Sequence, residues 1–253
     1  MTAIRVDVIE GVADVVLDRP AVNALDAAGW RELSDLVTET GRRDDVNAMV
    51  LSGHGRGFCA GVDIKELAAD SSLITEVNRG CFDAFAAVYD CPVPVIGAVH
   101  GYALGGGVAL AGSCDIVVSE KGTQFGLPEI DRGALGGGTH LIRLFPQQKA
   151  RMMMFTGRPV LAEEAYRLGA LEDVTEIGEA HERAMDIAAD IASKSPMAVR
   201  LAKQSLNGIE LLDVKRSYRF EQGFTLELYT SSDSQEARDA FVEKRDASFS
   251  DEG

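Results

Sequence analysis

Two glycine-rich turns constrain the fold of this chain more than any other feature. The first, GFCAGVDIKE, covers residues 57–66, and the second, GYALGGGVAL, covers residues 101–110. Each follows an apolar run typical of a short buried strand, at 48–51 and 95–99, and each precedes a helical pattern. Glycine lets the backbone approach a ligand closely, and the first amides of a helix have no partner within it. Two such turns can direct two N–H groups at one oxygen, so the sequence predicts an oxyanion hole for a developing carbonyl anion.

The first turn also approaches a dinucleotide-binding fingerprint, but its spacing does not fit. Gly55, Gly57 and Gly61 give G-x-G-x-x-x-G after a strand, one residue longer than the fingerprint. The fingerprint also needs an acidic residue at the end of the next strand, about 20 residues on, where this chain has a long helical pattern. The sequence has no G-x-x-x-x-G-K-[ST] run of a P-loop either. We therefore exclude nucleotide-dependent redox chemistry.

The order of the predicted elements favours an α/β fold. Two alternating apolar segments around Gly11 predict a β-hairpin. Beyond it, helical patterns alternate with apolar strands, so crossover connections and a mostly parallel sheet are expected. The predicted helices of this part are 27–40 and 71–89, and its predicted strands are 48–51, 95–99 and 115–119. After Leu161 the pattern is helical, with predicted helices at 162–168, 178–193, 197–212, 215–229 and 236–244.

Charge and cysteine content restrict the partners and the compartment. A chain of 253 residues suits one α/β domain, or a domain with a short appended segment. The formal net charge of −15 argues against nucleic acid or an anionic membrane as a partner, although a few local cations can still bind phosphates. The N-terminus has no apolar signal region, and no apolar window is long enough to span a membrane. The four cysteines lack metal-ligand spacing, so we predict reduced thiols in a cytoplasmic protein without a metal site.

Four segments, in this order, resemble the crotonase (enoyl-CoA hydratase/isomerase) superfamily. They are LDRPAVNAL at 17–25, the two glycine turns, FGLPEIDRGALGGG at 125–138 and DAFVEKR at 239–245. The stretches AGVDIKE, FGLPE, RGALG and EQGFT are most similar to actinobacterial members of steroid-ring degradation. The resemblance implies an α/β crotonase-like spiral of ββα repeats over residues 1–195. It also implies a C-terminal helical region, residues 196–253, that completes a homotrimer or a dimer of trimers.

The resemblance also assigns the reacting groups. Ala60 and Gly106 would donate the two backbone N–H groups that hold the thioester oxygen, and Glu129 would be the acid/base. Gly106 lies in a triple glycine that opens a helix, so the helix dipole supports this role. A carboxylate beside an apolar acyl pocket has a raised pKa, which suits Glu129 to proton transfer near neutral pH. The alternatives are two turns that simply reverse the chain and a glutamate on a surface loop.

Ala109 stands where two-glutamate hydratases of the family carry their other glutamate. Alanine cannot hold water or move a proton, so we do not expect ordinary hydration of a 2-enoyl-CoA. The GALGGG segment at 133–138 also lacks the aspartate that several isomerases and dehalogenases of the family carry there. One acid/base group and an oxyanion hole suit a non-standard hydratase or isomerase. They equally suit a hydrolase in which water attacks the ring ketone of a cyclic β-keto acyl-CoA and a stabilised enolate leaves.

Coenzyme A is expected as part of the substrate, with no permanently bound cofactor. The resemblance places three groups of residues around it: Arg19, Val22 and Ala24; Gly61, Val62 and Asp63; and, on the last helix, Lys244 with Arg245. The two basic residues could bind phosphates of coenzyme A in their own or another subunit, or be plain surface charge. The spacing of Asp63 and Glu66 is also typical of a helix capping box.

Four further residues have both a functional and a structural interpretation. Asp131 and Arg132 could tune the pKa of Glu129 or form a solvated ion pair. His140 begins a helix after the glycines and has no visible partner. Cys59 lies in the oxyanion turn with no nearby base, so we interpret it as a small turn residue.

Two hypotheses from different classes remain at this stage. The first is an acyl-CoA enzyme of enolate chemistry, which Glu129 and both turns favour. The second is a catalytically silent crotonase-fold protein that binds CoA esters or serves as an assembly subunit, and Ala109 keeps it open. The C-terminal helices likewise have two readings, an intersubunit contact or a cap on their own domain.

Overall fold

The structure is a computed structural model that describes residues 4–249. Its strands are β1 (Ile4–Ile9), β2 (Val12–Leu17), β3 (Ala24–Leu25), β4 (Ala48–Gly53), β5 (Gly61–Val62), β6 (Val95–Val99), β7 (Tyr102–Leu104), β8 (Ile116–Glu120), β9 (Gln124–Gly126), β10 (Val160–Leu161) and β11 (Asp173–Thr175). Its α-helices are α1 (Ala27–Gly41), α2 (Ile64–Ala69), α3 (Ile74–Tyr89), α4 (Gly106–Ser113), α5 (Gly138–Leu144), α6 (Gln147–Thr156), α7 (Ala162–Arg167), α8 (Ala180–Ala192), α9 (Pro196–Ile209), α10 (Val214–Tyr229) and α11 (Ser232–Glu243).

The largest sheet has the strand order β1-β2-β4-β6-β8-β11. β1 and β2 form an antiparallel hairpin, and the other neighbouring strands are parallel. These neighbouring strands are parallel because a helix between them returns the chain to the end of the sheet where the previous strand began. Every residue of β6 is buried, as expected for a parallel strand that is covered on both faces.

Short strands form the second layer of each repeat. β7, β9 and β10 make a three-stranded sheet, and β3 pairs with β5. The chain runs three times from a long strand to a short strand and then to helix: β4–β5–α2, β6–β7–α4 and β8–β9–α5. These ββα repeats confirm the predicted crotonase-like spiral. A parallel bridge between Cys59 and Ala103, together with the β7–β9 pair, brings the ends of the short strands next to one another.

Helices cover both faces of the large sheet. The main core lies on one face, where α1, α3 and α4 bury large side chains such as Trp30 and Phe85. On the other face α8 packs through Ala180, Ala184 and Ala188 against strand residues such as Val50. The three alanines recur every four residues and lie on one side of the helix, so α8 can approach the sheet closely.

The predicted elements of the first part are confirmed, with small shifts of their ends. The predicted helix at 71–89 is divided, since residues Ser71–Leu73 form a 3₁₀ turn before α3. In the C-terminal part the sequence analysis missed β11, which pairs with β8 at the sheet edge. It also placed the start of α11 four residues late, because Ser231 caps this helix by accepting the N–H of Ser234.

Helices α9, α10 and α11 follow the spiral, and Ser195, at the predicted division, is the N-cap of α9. Lys203 of α9 is buried and donates to Asp115 at 2.7 Å and to the carbonyl of Val93 at 3.1 Å. These bonds of the buried lysine connect α9 to the spiral. Several apolar side chains of α9 and α10 are exposed, among them Met197, Leu206, Ile209, Phe220 and Phe224.

Candidate active site

Both glycine turns open onto one cavity with a volume of about 440 Å³. Ala60 and Val62 line it from the first turn, and Gly106 lines it from the second. Glu129 completes this end, while apolar groups of α3 form much of the remaining wall. The last two helices close the far side, mainly through side chains of α11.

The two turns touch directly, which explains their glycines. A Cβ added to Gly61 would stand 2.7 Å from the amide nitrogen of Gly106. Gly61 also has a φ of +86° and Gly105 a φ of +57°, values that an L side chain rarely adopts. The amide of Gly106 is the first of α4, so it has no acceptor within the helix and carries the positive end of the helix dipole.

The N–H group of Ala60 is already used, which changes one of the two predicted donors. It donates to the carbonyl of Val22 at 3.1 Å, and the N–H of Asp63 donates to the carbonyl of Leu25 at 2.9 Å. Val62 lies just before Asp63 in β5 and lines the cavity. Val62 was predicted only as a coenzyme A contact, and its amide is a second candidate for the donor of the first turn.

Glu129 lies in a 3₁₀ turn, Pro128–Arg132, that follows β9. Its Oε1 lies so close to Gly105 that a Cβ there would overlap it, which places the carboxylate against the second glycine turn. Its Oε2 is shielded from solvent and has no hydrogen-bond partner among residues 4–249. Burial raises the pKa of Glu129 to about 7, although the charge of Arg132 acts in the opposite direction. The carboxylate can therefore gain and lose a proton near neutral pH.

No other buried carboxylate faces this cavity within the described range 4–249. Ala109 is fully buried in α4, and a Cβ on Gly137 would lie 3.5 Å from its methyl carbon. Asp239 and Glu243 of α11 also line the cavity, but both are exposed. No group of three or more potential metal ligands occurs in residues 4–249. The groups at this end of the cavity are the Glu129 carboxylate and the backbone of the two glycine turns.

Several predicted coenzyme A contacts lie outside the cavity wall. Arg19 donates to Asp26 at 2.5 Å and lies 3.7 Å from Asp63. Lys244 is exposed and ends α11 in a left-handed conformation. Val22 and Ala24 lie in the segment that pairs with the first turn, through the Ala60 bond and the register of Ala24 with Gly61. Their contact with coenzyme A stays a prediction.

The predicted capping box is half correct. Asp63 caps α2 by accepting the N–H of Lys65 at 3.0 Å. Glu66 does not return to the N–H of Asp63. It accepts the N–H of Ala27 at 3.0 Å instead, so it connects α2 to the start of α1. Asp63 is therefore occupied by the helix end and by Arg19, which favours a structural role.

His140 and Asp131 lie away from the reacting end. Burial lowers the pKa of His140 to about 3, so its ring is neutral at pH 7. The ring packs edge-on against Phe85 and Tyr218, with centroids 4.9 Å and 4.8 Å away. Asp131 lies against Gly157, where an added Cβ would overlap its carboxylate. The buried Cys59 is held in the turn, and burial raises the pKa of its thiol to about 12.

Residues of α10 were missed as part of the site. Tyr218 lines the cavity, and burial raises its pKa well above 10, so its hydroxyl stays protonated. Glu221 accepts the N–H groups of Gly138 at 2.6 Å and Thr139 at 2.9 Å, which fixes the start of α5. They lie about 90 residues from Glu129 in the chain, and no local pattern predicts that approach. The EQGFT resemblance was the one signal for Glu221.

The touching turns and the desolvated carboxylate define a crotonase-fold enzyme of acyl thioesters. This chain belongs to the enoyl-CoA hydratase/isomerase family, whose model matches residues 7–252. It is 47% identical over 236 residues, 92% of each chain, to the (7aS)-7a-methyl-1,5-dioxo-2,3,5,6,7,7a-hexahydro-1H-indene-carboxyl-CoA hydrolase of Rhodococcus jostii. The Mycobacterium tuberculosis protein of the same name is 45% identical, over 92% of this chain and 96% of that protein.

Solved structures agree with this assignment. The carnitinyl-CoA hydratase from Mycobacterium avium superimposes with a TM-score of 0.86 at 30% identity, over 98% of both chains. The predicted family and its closeness to actinobacterial steroid-degradation members are therefore confirmed. The chain is an enzyme of this family, rather than the catalytically silent binder that Ala109 left open. No helix among residues 4–249 is long and apolar enough to cross a membrane.

Proposed function

We propose that this enzyme hydrolyses a carbon–carbon bond in the ring of a cyclic β-keto acyl-CoA. The observation that carries the proposal is the lone carboxylate of Glu129, desolvated and unpaired at Oε2, in a cavity where Ala109 supplies no second acid/base group. Two relatives named as hydrolases of a bicyclic dioxo-indene-carboxyl-CoA support the same chemistry. Coenzyme A enters as part of the substrate, and no permanently bound cofactor takes part.

In the proposed reaction Glu129 takes a proton from water and later donates it to carbon. The Glu129 carboxylate takes a proton from water while the water oxygen bonds to the ring ketone carbon. The ring C–C bond then breaks, and its electron pair becomes an enolate conjugated with the thioester. The amides of Gly106 and Val62 hold the enolate oxygen, and protonated Glu129 returns the proton to carbon. Water has been added across the C–C bond, and the new end is a carboxylic acid.

This mechanism predicts both a product and a variant phenotype. With the bicyclic dioxo-indene-carboxyl-CoA as substrate in ¹⁸O-water, the new carboxyl group should carry one ¹⁸O atom by mass spectrometry. Glu129→Gln should lower turnover roughly 10²- to 10⁴-fold while the dissociation constant of the CoA ester stays the same. Crotonyl-CoA hydration by the native enzyme should be slow. Fast crotonyl-CoA hydration without C–C cleavage would overturn the proposal in favour of a hydratase.

We also propose that the chain assembles as a homotrimer or a dimer of trimers through α9 and α10. The exposed apolar residues of these helices, defined above, support an intersubunit contact, because large apolar patches on a soluble protein mark interaction sites. We propose with it that the chain divides into a spiral core, residues 1–195, and a helical region, residues 196–253, that makes the intersubunit contacts. Lys244 and Arg245 would then reach phosphates of coenzyme A, in their own or a neighbouring subunit, only if Arg245 leaves Glu236 and Glu243.

A further inference from the structure

A guanidinium group on the cavity wall has no partner of its own. Arg132 follows Glu129 by three residues, at the end of the same 3₁₀ turn, and lines the cavity. Its guanidinium carbon lies 4.7 Å from the centre of the Phe241 ring, which also lines the cavity. Within residues 4–249 the Arg132 side chain makes no ion pair and no hydrogen bond. The side chain is half-buried, so part of its hydration has been removed.

Apart from Glu129, the other charged groups on the wall are engaged, in contrast to Arg132. Arg238 donates to the carbonyl of Tyr229 at 3.3 Å, to Gln235 at 2.7 Å and to Ser234. Asp239 accepts from Gln235 at 2.8 Å, and Glu243 pairs with Arg245. Arg238 therefore serves the local structure of α11, whereas the donors of Arg132 are available to a ligand.

The position of Arg132 determines which part of a ligand it can meet. Glu129 lies against the second glycine turn, beside the amides proposed to hold the thioester. Arg132 lies on the α11 side instead, with its guanidinium over Phe241. The cavity continues from Glu129 to Arg132 and α11, so an acyl group whose thioester is held by the amides has room to extend into this part. Arginine presents a planar set of donors that matches a carboxylate in a bidentate manner.

We propose that Arg132 recognises a carboxylate at the end of the acyl group remote from the thioester. This inference rests on the proposed function, because hydrolysis of a ring C–C bond creates such a carboxylate, and the tetrahedral intermediate before it already carries an anionic oxygen. The ligands that Arg132 favours are then the tetrahedral intermediate and the ring-opened product, rather than the neutral ketone of the substrate. A simple enoyl-CoA has no anionic end and leaves Arg132 without a partner.

Two probes of equal chain length test this recognition. Adipoyl-CoA carries a terminal carboxylate, and hexanoyl-CoA carries a methyl group in its place. By competition calorimetry the native enzyme should bind adipoyl-CoA about tenfold or more tightly than hexanoyl-CoA, as expected for a charge-assisted hydrogen bond. In Arg132→Met the ratio of the two dissociation constants should fall to about one. Arg132→Lys keeps the charge but loses the planar fork, so an intermediate ratio is expected.

The matched control is Arg151→Met. Arg151 lies on α6, exposed, with its guanidinium carbon 5.2 Å from the Phe155 ring centre, and it does not line the cavity. This variant should keep the native ratio. Hexanoyl-CoA binding by Arg132→Met, together with its thermal melt, checks that the variant is folded.

The outcomes separate this inference from the proposed function. If Arg132→Met keeps the native preference for adipoyl-CoA, or if the native enzyme shows no preference, Arg132 does not bind the remote carboxylate. Ring opening by the native enzyme can still be observed in that case, and the proposed function would stand. A preference that depends on Arg132 without any C–C cleavage would support the inference and overturn the hydrolase.

Discussion

Burial, more than any neighbouring charge, sets the acidity of Glu129. Desolvation is the largest influence on its pKa, and the nearby charge of Glu221 adds to it. A hydrogen bond from its own backbone N–H and, to a smaller extent, the positive charge of Arg132 lower the pKa, which comes to about 7. An acid/base group is most effective when its pKa lies near the working pH. The same burial carries a cost in stability, because the ionised form is disfavoured in the folded state.

The pH dependence of stability should reveal this cost. Since the pKa of Glu129 is raised from 4.5 to about 7 on folding, the folded state holds the proton more tightly, and stability falls as pH rises between these values. Glu129→Gln removes the ionisation. The variant should gain up to about 3 kcal/mol over the native enzyme above pH 7, and little of this near pH 5, since one pKa unit corresponds to about 1.4 kcal/mol.

Urea denaturation at pH 5, 6, 7 and 8 measures this difference. Glu182→Gln, at an exposed position of α8, is the matched control and should show no such trend. A constant difference between Glu129→Gln and the native enzyme across this range would mean that the Glu129 carboxylate is not desolvated.

Among the helices and strands, the sequence predicts best those elements whose hydrophobic pattern lies entirely within their own residues. β6 was predicted with its observed ends, since five consecutive buried residues need no outside information. β11 has the sequence DVT and is half-buried. It forms a strand because it pairs with β8 at the edge of the sheet. For a similar reason, the hydrogen bond from the Ala60 N–H to the carbonyl of Val22 was not predicted. The direction of this N–H depends on pairing with the segment before α1, which no local pattern shows.

Helix α8 provides a test of packing at this scale. Ala184 is fully buried between α8 and the large sheet, so Ala184→Leu inserts volume where the two elements are in close contact. Overpacking of this kind costs about 1–3 kcal/mol of the free energy of unfolding. Ala189→Leu, at an exposed position of the same helix, should change it by less than about 0.5 kcal/mol. Equal stability of the two variants in urea would show that α8 does not pack closely on the sheet.

For the whole molecule, the acidic surface and the apolar faces of α9 and α10 act against each other. A net charge of −15 per chain makes the copies repel one another, whereas burial of apolar side chains favours contact. Salt screens the charge repulsion between the copies and leaves the apolar contact unchanged. Assembly should therefore strengthen as ionic strength rises.

Sedimentation velocity at micromolar concentration tests the assembly. The native enzyme should sediment as three or six copies of the 27.1 kDa chain, and more completely at high salt. Phe220 is exposed on α10, and Phe220→Asp should shift the distribution towards the monomer, because it replaces an apolar contact worth about 1.5–3 kcal/mol by a charge. Ile177→Asp changes an equally exposed apolar residue outside α9 and α10 and should leave the distribution unchanged. A native enzyme that sediments as a monomer at every salt concentration would contradict the trimer. Dissociation by Ile177→Asp instead of Phe220→Asp would place the contact on another face.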